Sequence, residues 1–242
     1  MDFGKLKEFS DRVGAAYGSE DLALFLYALI KMQKPQCILE LGTGDGAATV
    51  WMAQALKENK VGKIITVDNG SQYEVGSHLA PDELKPTHRE YFLHVLQKFN
   101  LEDYVSIISD SLPPFPIPAE PIDLIFADFD HGLLNVLEIF TSYLPFLNDT
   151  VSIFVDSAST FLPSYLLLER LVSDFNKGIV PATIISEMAD DQKMKTVEWV
   201  KSSQFVLVHL TTAGKETQNS TAWIKVQPRD IVPWPTAAVR GE

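Results

Sequence analysis

The sequence predicts an α/β fold: a doubly wound, mostly parallel sheet of seven strands closed by a C-terminal antiparallel hairpin. Two observations carry this reading. Short, nearly continuous apolar runs alternate with longer segments whose apolar residues recur at helical spacing, as a parallel sheet covered on both faces requires. Near the C-terminus that rhythm breaks, and two β-rich runs flank a Gly- and polar-rich link, the signature of an antiparallel pair at a sheet edge.

The elements follow in order. Residues 19–32 open on a capping serine and run as a mostly apolar helix that Pro35 stops. Residues 37–41 (C-I-L-E-L) form the first strand, and Ala48, Trp51, Met52, Ala55 and Leu56 space a helix over 47–59. A second strand covers 63–68, and a helix over 88–100 carries Tyr91, Val95, Leu96 and Phe99 on one side. Strands at 104–108 and 122–128 come next, then a helix over 133–146, a strand over 151–156 and a helix near 161–175. The stretch 179–203 admits a short strand at 182–186 with a helix over 190–200, or a surface insertion. Runs 204–211 and 220–227 make the closing hairpin. No repeat or flexible linker divides the chain, so residues 1–242 read as one domain: a helical cover over 1–35, a core over 36–227 and a tail over 228–242.

Composition narrows the function. Lys and Arg number 20 against 32 Asp and Glu, a net charge of −12. That balance argues against a nucleic-acid partner, which calls for basic stripes that displace counterions from phosphates. The single cysteine, Cys37, rules out a disulfide framework and a CxxC site. The first eighteen residues are charged and lack the apolar core of a secretory signal, and the longest apolar stretch, 22–30, is about half of a membrane span. The expected setting is therefore the cytoplasm, with no membrane partner.

Chemistry concentrates first in Glu40-Leu41-Gly42-Thr43-Gly44-Asp45-Gly46, between a strand and a helix. Glycines at such a turn let backbone N–H groups approach a ligand in the crevice beyond the strand's carboxyl end. Asp68, closing the next strand, stands where a carboxylate can accept hydrogen bonds from a ribose diol. The bland alternative is a pair of strand-end acids facing solvent.

E-x-G-x-G-x-G followed by an acid-terminated second strand resembles the cofactor half of class I S-adenosylmethionine (SAM)-dependent methyltransferases, whereas dinucleotide dehydrogenases show G-x-G-x-x-G. The resemblance spans roughly 19–227 and includes the final hairpin, implying the Rossmann-like fold of that family. It implies that Gly42, Thr43 and Gly44 border the methionine part of SAM, and that Asp68 with Asn69 holds the ribose. It further implies that Asp110 with Ser111 meets the adenine amino group, and that Glu40 orients the loop or reaches the methionine end through water.

A second constellation, Ala127-Asp128-Phe129-Asp130-His131, follows the fourth strand. It resembles the D-x-D-[KH] segment of small-molecule O-methyltransferases of the catechol and caffeoyl-CoA type and their natural-product relatives. The resemblance implies a divalent cation, magnesium suiting the oxygen ligands, held by Asp128 and by Asp156 at the end of the fifth strand. Ser157 departs from that pattern, which has Asn or Asp there, and the metal-free alternative makes Asp128 and Asp156 crevice acids that position a polar substrate. His131 lies where an imidazole could serve as general base, although neighbouring carboxylates favour its protonated form; a surface or capping histidine is the alternative. His78, His88, His94 and His209 lack such company and read as non-catalytic.

The long connection 69–86, with Tyr73 and His78, reads as a lid or as a surface excursion. The Pro-rich run 112–121 reads as a stiff connection, and Trp234 in the tail as a cover for the site or a dimer contact. The apolar residues 22–30 cover the substrate crevice or a homodimer interface, and Trp199 and Trp223 pack the core.

The function expected is methyl transfer from SAM to a small-molecule acceptor, an oxygen acceptor first, with Asp128 and His131 as catalytic residues. Three rivals remain. A metal-independent N-methyltransferase would share the cofactor half. A nucleic-acid methyltransferase would carry an N/D-P-P-[YF]-like motif where this chain reads A-D-F-D. A non-catalytic SAM-binding interaction protein would bind without turnover.

Overall fold

The structure, a computed structural model, describes residues 3–13, 20–71, 73, 87–112, 118–158, 160–211 and 220–229. Its strands are β1 (Cys37–Leu41), β2 (Lys63–Val67), β3 (Val105–Ile108), β4 (Ile122–Ala127), β5 (Leu147–Asp156), β6 (Ser203–Thr211) and β7 (Ser220–Pro228). They form one seven-stranded sheet in the order β3-β2-β1-β4-β5-β7-β6. Neighbours from β3 to β5 are parallel, while β7 runs antiparallel to both β5 and β6. The seven strands and the closing hairpin agree with the sequence reading. The hairpin is inserted so that β7, not β6, pairs with β5.

Eight helices are described: α1 (Phe3–Val13), α2 (Glu20–Gln33), α3 (Ala47–Asn59), α4 (His88–Phe99), α5 (Leu133–Tyr143), α6 (Leu162–Asn176), α7 (Ala182–Ile185) and α8 (Asp190–Ser202). They cover both faces, because strand side chains alternate between them. Ile38, Ile64, Leu124, Phe126 and Phe154 pack against α1 to α4. Leu39, Leu41, Ile125, Ile153 and Val155 pack against α5 to α8. Near-complete burial of such side chains contributes roughly 1.5–3 kcal/mol each relative to exposure.

Three differences from the sequence reading have physical causes. Helix α1 lies within the expected helical cover but has no predicted bounds of its own because its polar residues dominate, yet Leu6, Phe9 and Val13 form a stripe that is buried. Residues 182–185 (A-T-I-I) form one helical turn instead of a strand, since Pro181 opens a turn that packs Ile184 into the core. β5 begins at Leu147, earlier than position 151, because Leu147 already pairs with Ile122 across an irregular register. The remaining boundaries shift by a few residues, with Leu144–Phe146 as a 3₁₀ turn after α5. Of the loop features, Tyr73 is described, whereas His78, Trp234 and residues 113–117 of the Pro-rich run fall outside the described residues.

The sheet is tied at its amino end by Asp123, whose carboxylate accepts from the backbone N–H of Gln36 (2.7 Å) and Cys37 (3.0 Å) and from Asn148 (2.6 Å). Helix α2 lies on α3, and its Phe25 meets Phe154 and Trp223 edge-on, so this apolar helix covers the first face within the chain. Among the described residues no helix is long and apolar enough to cross a membrane. The carboxyl ends of β1 and β4 lie where strand order reverses, and a crevice for ligands opens there in doubly wound sheets.

Candidate active site

Glu40, Thr66, Asp156 and Thr221 share the strand face that carries Ile38, Ile64, Phe154 and Trp223, so alternation alone delivers them to one side of the carboxyl ends. Asp68 and Asp128 follow directly on β2 and β4. The strand ladder continues into these ends, with Asp68 N–H bonded to Ile108 and Asp128 N–H to Leu41.

The glycine loop is built around positive φ angles: +92° at Gly42, +52° at Gly44 and +87° at Gly46. A Cβ at Gly42 would overlap the main-chain carbonyl of Asp128, and one at Gly46 the ring of Phe92. Gly44 differs, since a Cβ there would meet nothing within 4 Å, and its outer side opens into the crevice.

Asp68 holds this loop from beneath. Its Oδ2 accepts from the N–H of Thr43 (2.8 Å) and Gly44 (2.9 Å), and its Oδ1 from Gly70 N–H (2.7 Å). The carboxylate therefore joins the β1 and β2 loops. Glu40 is fully buried, and its Oε2 accepts from Thr49 (2.6 Å) and Thr66 (2.5 Å). Thr66 in turn meets the Thr43 hydroxyl at 2.6 Å, so Glu40 orients the loop through two hydroxyls. Its Oε1 is buried and has no hydrogen-bond partner among the described residues. Burial pushes the Glu40 carboxyl up to about 8, despite the two threonine bonds. Near neutral pH it is largely protonated, which suits a side chain with no cation beside it.

On the adenine side of the expected arrangement, Asn69, Asp110 and Ser111 are exposed and adjacent. Asn69 Nδ2 lies 3.5 Å from Ser111 Oγ, and Asp110 accepts from Ser111 N–H at 2.8 Å.

The acceptor side centres on Asp128, Asp156 and His131. Asp128 makes no hydrogen bond through its carboxyl among the described residues, and burial, then Asp156, Glu40 and Asp68, hold it well above the usual carboxylate range. Asp156 is buried and accepts from Thr221 (2.7 Å) on one oxygen and from Ser157 (2.8 Å) on the other. Ser157 adopts a left-handed φ of +53°, a conformation tolerated best by Gly, Asn or Asp.

His131 stacks near Phe161 with ring centroids 5.0 Å apart, and its carbonyl accepts from Ser164 at 2.6 Å. Its pKa lies below the ordinary histidine value because burial outweighs Asp156 and Asp130. Burial, rather than the neighbouring carboxylates that the sequence puts forward, is thus the larger influence on the ring.

The donor set gives a magnesium centre little support, since it offers two carboxyl groups, Asp128 and Asp156. Among the described residues no three His, Cys, Asp or Glu side chains gather to hold a metal. Both Asp156 oxygens are already engaged by hydroxyl donors, and Ser157 turns its proton toward Asp156. The pair is thus better described as crevice acids.

Sequence reasoning missed Thr49, Thr66 and Thr221, since hydroxyls partner acids across strands and carry no motif. It also missed Phe161 beside His131. Trp199 and Trp223 do pack the core, although each keeps a buried indole N–H without a partner among the described residues.

Residues 39–158, just under half of the chain, match the family model of a methyltransferase domain. No curated protein matches the sequence. Among solved structures the chain resembles the O-methyltransferase TomG from Streptomyces achromogenes, involved in tomaymycin synthesis and solved with SAM. That match has 16% identity, 92% of this chain, 89% of that one and a TM-score of 0.55. An O-methyltransferase from Bacillus cereus in complex with S-adenosylhomocysteine (SAH) matches at 18% identity, covering 93% of this chain and 91% of that one, TM-score 0.56. A SAH-bound methyltransferase of Podospora anserina matches at 15% identity, covering 94% and 87%, TM-score 0.51. These likenesses agree on the fold.

Proposed function

We propose that this chain, a class I SAM-dependent methyltransferase, methylates a hydroxyl oxygen of a small molecule without help from a divalent cation. The observation that carries the reading is the convergence of Glu40, Asp68, Asp128 and Asp156 on one side of the crevice beside the open Gly44. Acid side chains around an open glycine turn at the carboxyl ends of the strands suit a cofactor that carries hydroxyl and amino groups. The O-methyltransferase titles of two structural neighbours favour an oxygen acceptor.

Bound SAM supplies an electrophilic methyl group. Asp68 and the Gly42–Gly44 backbone set the cofactor's place, with Asn69, Asp110 and Ser111 flanking the adenine and Glu40 fixing the loop from below. Asp128, free of other hydrogen bonds, orients the acceptor hydroxyl. His131, neutral because of its burial, takes the hydroxyl proton as the oxygen bonds to the methyl carbon and the carbon–sulfur bond breaks toward sulfur. Phe161 beside the imidazole helps exclude water. Positioning and desolvation supply most of the acceleration, since the methyl donor is intrinsically reactive.

A turnover assay with SAM and ring-matched phenols and anilines tests this. The expected product is the methyl ether, formed equally in the presence of a chelator. An N-methyl product, or activity that chelation abolishes and magnesium restores, would overturn the acceptor or the metal-free part of the reading.

A further inference from the structure

We propose that His88 is a positioning residue for the cofactor, holding the Gly44 peptide by its carbonyl while Asp68 holds the same residue by its N–H; this rests on the cofactor reading above. His88 Nε2 lies 2.7 Å from Gly44 O, and a carbonyl only accepts, so the imidazole carries its proton on Nε2 and donates it. The donor's place is rigidly set. His88 opens α4, whose N-cap Thr87 accepts from Glu90 N–H at 3.2 Å, and the ring is buried. It lies parallel to Phe92 (3° between planes) and 5.5 Å from Tyr73, which stacks on Tyr91.

The same side chain touches the second loop. A Cβ at Gly70 would come within 2.7 Å of His88 Cβ, so Gly70 must be glycine for the β2 loop to close over the imidazole. His88 therefore sits between the two loops that Asp68 joins from the other side.

A glycine peptide needs this restraint. With φ of +52° and no side chain, Gly44 can rotate at little cost, and rotation would redirect the backbone groups that border the crevice. Holding Gly44 by both N–H and C=O removes that freedom before the cofactor arrives. Loss of one neutral hydrogen bond, worth about 1 kcal/mol, lets the loop sample other states and weakens binding about five- to tenfold.

Two variants separate the donor from the ring. His88→Phe keeps the stack with Phe92 and Tyr73 but has no donor; His88→Gln keeps an amide donor and gives up the ring. Calorimetric titration with SAH is expected to show binding about tenfold weaker in His88→Phe and within about threefold of wild type in His88→Gln. Unaltered affinity in His88→Phe, or equal losses in both variants, would overturn the proposal. A measurement on the unmodified protein guards against misfolded variants: ¹⁵N NMR is expected to find the His88 proton on Nε2 and protected from solvent exchange, and a proton on Nδ1 alone would contradict the assignment. If the wild type shows that proton but does not bind SAH, the cofactor reading fails and the His88–Gly44 bond stands.

Discussion

Gly42→Ala is expected to destabilise the fold by roughly 3–5 kcal/mol, lowering the melting temperature by about 10 °C, and to abolish SAH binding. Two independent penalties add at this position. A φ of +92° lies outside what alanine accepts comfortably, and the new methyl would occupy the main-chain carbonyl of Asp128. Neither backbone can move aside, because Gly42 N–H is bonded to Val67 at 2.9 Å and Asp128 N–H to Leu41 at 2.8 Å. Gly44→Ala provides the contrast. Its φ of +52° falls in the left-handed region, and its methyl would enter open space. That variant is expected to lose about 1 kcal/mol of stability while still losing cofactor affinity, because the open space borders the proposed cofactor site. Thermal unfolding and SAH titration on the two proteins check both statements. Equal stability losses at the two positions would contradict the geometry.

His131→Ala is expected to reduce kcat by about 10²–10⁴-fold, with SAH affinity unchanged, as removal of a general base does when the cofactor pocket is intact. The pH dependence gives a sharper sign. The working form of His131 is neutral, and burial holds its pKa below the ordinary 6.5, against the opposing pull of Asp156 and Asp130. Activity should therefore stay level as pH falls through 6.5 and decline only at lower pH, where the imidazole becomes protonated. The acid limb should vanish in His131→Ala. A limb centred above 6.5 in wild type would mean that the carboxylates, not burial, govern the ring.

What the sequence made legible was local. Glu40 through Gly46 could be recognised because the strand, the turn and the helix it joins are contiguous, so spacing alone conveyed the geometry. Asp128, His131 and Asp156 could be singled out as candidates because each stands at or just past the end of a strand of clear apolar pattern. What escaped depends on strand neighbours. Thr66 and Thr221 matter because β2 lies beside β1 and β7 beside β5, and adjacency of that kind is not written into any one segment. His88 shows the same limit: its partner Gly44 is distant in sequence, and only the docking of α4 against both loops reveals the bond. For His131 the neighbouring acids are visible in sequence, whereas the burial that opposes their pull on the ring is not. The magnesium expectation leaned on two acids, and sequence alone does not show that each Asp156 oxygen accepts from a hydroxyl.

The central claim is that the Gly42–Gly44 loop and Asp68 form a SAM site, and calorimetric titration with SAH on wild type and Asp68→Ala tests it most directly. Asp68 accepts three backbone hydrogen bonds that join two loops, and hydrogen bonds to a charged group are worth about 1.5–3 kcal/mol each. Micromolar binding in wild type, weakened at least about 100-fold in Asp68→Ala, is the predicted result. Absence of SAH binding in a folded wild-type protein, or binding that Asp68→Ala leaves untouched, would contradict it.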